Sequence, residues 1–233
     1  MKLVLFGEDF RLGILKNDNV IDASSVVDGR INTSHPQDMM KHLIENFDAF
    51  SEDLQSISDK STGVPRGHVR LRAPLPNPAR LVCMAVNYLE DPSNPVAAPT
   101  NAFNKSSSSV IGHGDTVVLP DIDATIIEHE AELGLVIGKK ASKIDPKDAY
   151  AYIFGYVNFI DVSCRGVGPA GRDSFFIAKS WDTFGPMGPA IVTADEIKDP
   201  LNLSVRLSVG DQLRQDYNTN GMANKIPELL EWI

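Results

Sequence analysis

The chain has 233 residues, 42% of them hydrophobic, and 31 acidic against 22 basic side chains give it a net charge of −9. That is enough apolar material for one ordinary domain, or one domain with a small appendage. The acidic balance, with no clustered Lys/Arg stripe, argues against a nucleic-acid binder, although a local metal and a few cations can still draw a small anion into a cleft.

Residues 1–72 read as a small N-terminal domain. Residues 3–6, 11–15 and 19–21 are short strands separated by Gly-Glu-Asp and Lys-Asn-Asp turn signals. The opening apolar run is too short for a signal-peptide core, and no segment reaches the length of a membrane span. A helix follows, with Ser34 and Gln37 as a capping box and Pro36 in its first turn. Met40, Leu43, Ile44, Phe47, Phe50 and Leu54 then recur at helical spacing as core. Residues 73–80 are a proline-rich, extended linker. Strands dominate beyond it, at 81–86, 116–119, 126–137, 155–160, 190–193 and 203–209. One helix begins at Asp145-Pro146, and another begins near Pro227 and meets the end of the chain without a stop signal. That region, 81–233, reads as a mixed α/β, β-rich domain cut short at its C-terminus. Cys83 and Cys164 are far apart in sequence and form no CxxC pair, so they are read as reduced thiols of a cytoplasmic protein.

The densest chemistry lies in Ile126-Ile127-Glu128-His129-Glu130-Ala131-Glu132-Leu133. On a strand, Glu128, Glu130 and Glu132 share one face, opposite His129 and the apolar residues. Carboxylates two positions apart repel unless water or a cation separates them, and such oxygens suit Mg²⁺, Mn²⁺ or Ca²⁺. A solvated strand face fits the same spacing, and spacing alone favours it. Asp161 closes an apolar stretch at what reads as a strand exit, but periodicity does not bring it to the glutamates.

Five collinear segments go further. They are Lys105-Ser106-Ser107-Ser108 leading into Gly112-His113-Gly114-Asp115; Glu128 to Lys139; Phe154 to Ser163; Ala178-Lys179-Ser180-Trp181-Asp182-Thr183-Phe184-Gly185-Pro186-Met187-Gly188-Pro189; and Arg214 to Thr219. Together they resemble the fumarylacetoacetate hydrolase family from about residue 80 to the end. The resemblance implies a core of mixed β-sheets in a barrel-like roll, often behind a small N-terminal domain and usually in a homodimer. It implies Mg²⁺ or Mn²⁺ on Glu130, Glu132 and Asp161, a small 2-oxo acid as substrate, and no membrane partner. It places Lys179 in the active site and Tyr88, Lys105, Arg165, Gln215 and Asn218 among the substrate contacts, with a turn role open for Asn218.

Two departures shape the expected reaction. Hydrolytic members carry Asn-Tyr-x-x-His-x-x-Glu after the first strand, and their His–Glu pair activates water. This chain has Asp91 and Asn94 at those places, so Glu90 or Asp91 is the candidate general base. Gly166 and Gly168 replace the Asp and Gln that usually follow Arg165, and the family's closing Gly-Thr-Pro segment is absent. The leading expectation is a metal-dependent hydrolase cleaving a C–C bond in an acylpyruvate during aromatic-compound breakdown. An isomerase, tautomerase or decarboxylase of the same family, and a non-catalytic metal-binding scaffold, are the alternatives.

Overall fold

The computed structural model describes residues 1–89, 97–124, 126–168 and 174–233. The chain opens with an antiparallel meander, β1 (Lys2–Phe6), β2 (Arg11–Lys16) and β3 (Asn19–Asp22). Asn17 and Asp18 both hold positive φ, 50° and 61°, the two left-handed positions that a tight hairpin requires. A short helix α1 (Ser24–Val27) leads into α2 (Pro36–Glu45) and α3 (Ser51–Lys60).

The single helix expected over 36–54 is therefore two. The side-chain amide of Asn46 donates to the His42 carbonyl at 2.9 Å, and Arg30 donates to the Ala49 carbonyl at 2.6 Å. The His42 carbonyl also accepts the Asn46 N–H at 3.1 Å, which closes α2 there, and Arg30 occupies the Ala49 carbonyl in the turn before α3. The expected capping box is also replaced. Pro36 is the first helical residue, so the cap position falls on His35, and the Gln37 side chain accepts from the Asn77 backbone.

Short strands follow: β4 (Val64–Pro65), β5 (Leu71–Arg72), β6 (Val82–Ala85), β7 (Asn101–Asn104) and β8 (Val110–Ile111). The two longest are β9 (Ile126–Ile137) and β10 (Ile153–Arg165). Asp145 caps the helix between them through the Lys147 N–H, but that helix is a seven-residue 3₁₀ segment. Helix α4 (Phe175–Lys179), strands β11 (Gly185–Pro186), β12 (Ile191–Thr193), β13 (Ser204–Val209) and β14 (Gln212–Asn218), and helix α5 (Ile226–Trp232) complete the order. Residues 116–119 form no strand: the Val118 N–H is bonded to the Thr183 hydroxyl, and Val118 and Leu119 are exposed.

The main sheet runs β4-β3-β2-β1-β12-β10-β9, with β5 also paired to β1. Lys2 and Leu3 of β1 lie opposite Val192 and Ile191 of β12, so the first and last thirds of the chain share one sheet. The main core is shared in the same way: Leu3, Leu5, Leu12, Met40, Leu43 and Leu54 pack into one cluster with Val157, Phe159 and Ile191. At Gly155 a Cβ would lie 2.4 Å from the Val192 carbonyl oxygen, so only glycine lets β10 approach β12 there. β9 ends the sheet, and the β13–β14 hairpin forms a separate two-stranded sheet.

Candidate metal centre

The site is built by register. Glu130 lies opposite Asp161, Glu128 opposite Ser163 and Glu132 opposite Phe159. Residues directly opposite in an antiparallel pair project from the same face with neighbouring Cβ atoms. The sheet thus brings Asp161 to the glutamates, which the periodicity of one strand cannot do. Asp161 lies inside β10 rather than at an exit, because β10 continues to Arg165. One oxygen from each of Glu130, Glu132 and Asp161 falls within 4.8 Å of the others.

Three cations face these acids. Lys105 Nζ donates to Asp161 Oδ1 at 2.6 Å and to the Val162 carbonyl at 3.0 Å. Lys179, at the end of α4, donates to Asp161 Oδ2 at 2.5 Å and Glu130 Oε2 at 2.9 Å. Arg165 donates to Glu128 at 2.6 Å and to Glu130 at 2.9 Å. Burial is the largest influence on both lysines and disfavours their charge. It wins at Lys105, whose pKa is lowered; at Lys179, Asp161 and then Glu130 outweigh it and the pKa is raised.

Glu132 has no hydrogen-bond donor among the described residues. Burial, then Asp161 and Glu130, push its pKa up to about 8. A partly buried, donorless carboxylate beside two others is the arrangement that a hard cation relieves. The donor set therefore fits Mg²⁺ or Mn²⁺, held by Glu130, Glu132 and Asp161. Glu128, bonded to Arg165 and more exposed, stands outside that trio.

The other sequence-predicted residues separate into groups. The Tyr88 ring meets Tyr217 edge-on at 4.9 Å, and its buried hydroxyl makes no hydrogen bond among the described residues. The Lys105 side chain is fully enclosed, with its ammonium bonded to Asp161 and to the Val162 carbonyl. Gln215 accepts from the Ala131 backbone N–H at 2.7 Å, because β9 is an edge strand whose outward groups need partners. Asn218 caps the turn at Thr219–Gly221 and donates to Asn202, which is the turn role. Glu90 and Asp91 lie outside the described residues.

Sequence reasoning missed Tyr217, whose hydroxyl donates to the Ala131 carbonyl at 2.5 Å. Its signal was available: Gln215 and Tyr217 are two apart on a strand and share a face. It also missed Phe103, whose ring lies 5.1 Å from Lys179 Nζ and stacks on Phe175 at 4.7 Å.

The family profile described as Fumarylacetoacetate (FAA) hydrolase C-terminal matches residues 80–233. The chain belongs to the fumarylacetoacetate hydrolase family. Among the family's curated proteins, it is 32% identical over 206 residues to a mitochondrial oxaloacetate tautomerase of Rattus norvegicus, covering 85% of this chain and 64% of the relative. It is 36% identical over 174 residues to an oxaloacetate tautomerase of Bacillus subtilis, covering 70% of this chain and 56% of that protein. Its mixed α/β, sheet-rich fold matches the crystal structure of maleylpyruvate hydrolase from Sphingobium with a TM-score of 0.87 and 30% identity, over 100% of this chain and 82% of that one. A second structure of that hydrolase holds a manganese(II) ion and pyruvate. The chain spans less than two thirds of the length of these tautomerases. No helix among the described residues is long and apolar enough to cross a membrane.

Proposed function

We propose that this chain is a divalent-metal-dependent enzyme that moves a proton on a small 2-oxo acid, by tautomerisation or isomerisation. The observation that carries this reading is the convergence of Glu130, Glu132 and Asp161 oxygens beside Lys179. A bound Mg²⁺ or Mn²⁺ supplies Lewis-acid chemistry there, drawing electron density from the adjacent keto and carboxylate oxygens of a 2-oxo acid. Charge supports the substrate class. With Glu132 ionised, as metal binding would require, four acids against three bases sum to one negative charge, and a divalent ion would bring the cluster to one positive charge, complementary to a carboxylate.

The chain's own groups divide the remaining work. Lys105 and Lys179 hold Asp161 in place from both of its oxygens. Arg165 stands at the mouth, about one third exposed, where it meets an incoming carboxylate. The Tyr88 hydroxyl offers a buried donor to a substrate oxygen. Glu90 or Asp91 serves as the base that takes the proton from carbon. The absence of the His–Glu pair favours a reaction that needs no activated water, in line with the tautomerase relatives.

A second reading, hydrolysis of a C–C bond in an acylpyruvate, is favoured by the fold match to maleylpyruvate hydrolase. Homodimer formation, a place in aromatic-compound breakdown and a cytoplasmic setting belong to the same proposal, on the family resemblance and the two buried cysteines, which are not joined in a disulfide. The test is turnover of oxaloacetate, followed by loss of the enol absorbance, and of an acylpyruvate, followed by pyruvate release. Each is run with Mn²⁺, Mg²⁺ and EDTA. EDTA-sensitive enol loss without C–C cleavage supports the first reading, and pyruvate release supports the second. No turnover of either, with Mn²⁺ bound, overturns both in favour of a scaffold.

A further inference from the structure

The β13–β14 hairpin shares no backbone pairing with the main sheet, yet it touches β9 at one chemically pointed place. Gln215 Oε1 accepts from the Ala131 N–H at 2.7 Å, and the Tyr217 hydroxyl donates to the Ala131 carbonyl at 2.5 Å. Ala131 is the residue between Glu130 and Glu132. Its N–H belongs to the peptide plane joining it to Glu130, and its carbonyl to the plane joining it to Glu132. The two rotations at Ala131 decide how these carboxylates stand relative to each other, because a trans peptide leaves only φ and ψ free. In an antiparallel pair, backbone groups alternate between the partner strand and the outer edge. Both outward groups of Ala131 therefore point away from β10, and both are taken by side chains of one hairpin.

We infer that Gln215 and Tyr217 are positioning residues, a clamp that fixes the spacing of Glu130 and Glu132 for the metal. This rests on the metal centre proposed above. The clamp is anchored on its other side as well. The Tyr217 ring packs edge-on against Tyr88, and Asn87 is tied to Asn224 by bonds of 2.9 Å and 3.0 Å and accepts from the Ala223 N–H at 2.7 Å. The segment after β14 thus fixes the residue beside Tyr88, and Tyr217 of the hairpin contacts both Tyr88 and the strand that carries the two glutamates. Gln215, placed by sequence among the substrate contacts, acts one step back from the substrate.

The test is Mn²⁺ affinity of the 233-residue chain, read by electron paramagnetic resonance, alongside the Tm of the metal-free protein. Gln215→Met keeps length but removes the acceptor, and Tyr217→Phe keeps the ring but removes the donor. Each is expected to raise the Mn²⁺ Kd roughly 10-fold, the scale seen when an outer partner of a metal ligand is lost. Gln215→Glu restores an acceptor and is expected to bind Mn²⁺ at least as tightly as wild type. Arg206→Ala and Leu213→Ala loosen exposed parts of the hairpin without touching Ala131, and are expected to leave Kd unchanged. If Gln215→Met and Tyr217→Phe lower Tm while Kd stays at the wild-type value, the hairpin merely covers an edge and the clamp is overturned. If wild type itself binds no Mn²⁺, the metal centre falls and the clamp falls with it.

Discussion

The two ends of the main sheet are built on opposite principles. Around β1–β3 the interior is apolar: Leu3, Leu5 and Leu12 are fully buried, and Arg11 and Asp22 form an exposed pair. At β9–β10 the inner face holds Asp161, Glu130 and Glu132 with Lys105 and Lys179, of which Asp161 and the two lysines are almost wholly enclosed. Burying apolar area stabilises a fold directly, whereas burying charges costs solvation that pairing only partly returns. One end rests on apolar burial; the other concentrates the charges of the proposed metal site.

The sharpest way to break that contrast is Asp161→Ala. It strips two buried ammonium groups of their shared counter-ion, and loss of one partner from a buried pair costs about 3–5 kcal/mol. Urea unfolding should show that loss, and Mn²⁺ binding should vanish. Leu5→Ala should cost a comparable 2–5 kcal/mol, roughly the range for a buried leucine, while Mn²⁺ affinity per folded molecule stays unchanged. An unfolding loss at Leu5 accompanied by a weaker Kd would mean that the two ends are not separable.

A third experiment uses pH. Glu132 titrates near pH 8 in the fold against 4.5 unperturbed. A folded pKa raised above the unfolded one contributes stability that is complete below pH 4.5 and is lost as pH rises through about 8. The Tm of metal-free protein should therefore fall between pH 5 and pH 8.5. Glu132→Gln should flatten that fall and abolish tight Mn²⁺ binding, and saturating Mn²⁺ should flatten it in wild type. A wild-type Tm that does not fall over this range would remove Glu132 from the buried charge cluster. The smallest effect belongs to Arg11→Ala, whose exposed pair should shift stability by about 0.5 kcal/mol or less in a denaturant titration.

Local patterns were legible where local forces decide. Short runs bounded by turn signals located β1, β2 and β3, the strand reading covered all of β9, and the turn residues at Asn17-Asp18 closed a hairpin as their chemistry requires. What failed depended on partners distant in sequence. The break at Asn46 involves Arg30, and residues 116–119, read as a strand, form a loop bonded to Thr183. The site divides in the same way. Two glutamates on one face follow from a period of two, but Asp161 reaches them only through the β9–β10 register. Gln215 was visible as a polar residue in a family segment. Its actual partner, a backbone amide on an edge strand, has no signature in the sequence.

The pairing of Lys2 and Leu3 with Val192 and Ile191 also bears on how the chain acquires its shape. During synthesis β1 is made long before β12, so that stretch of its edge waits for a partner about 190 positions further along the chain. Contacts of such sequence separation slow folding and leave strand edges exposed to other chains in the meantime. The sheet that carries the acids at its far end is closed late, so a refolding time course should recover Mn²⁺ binding no sooner than the β1–β12 junction becomes protected from hydrogen exchange.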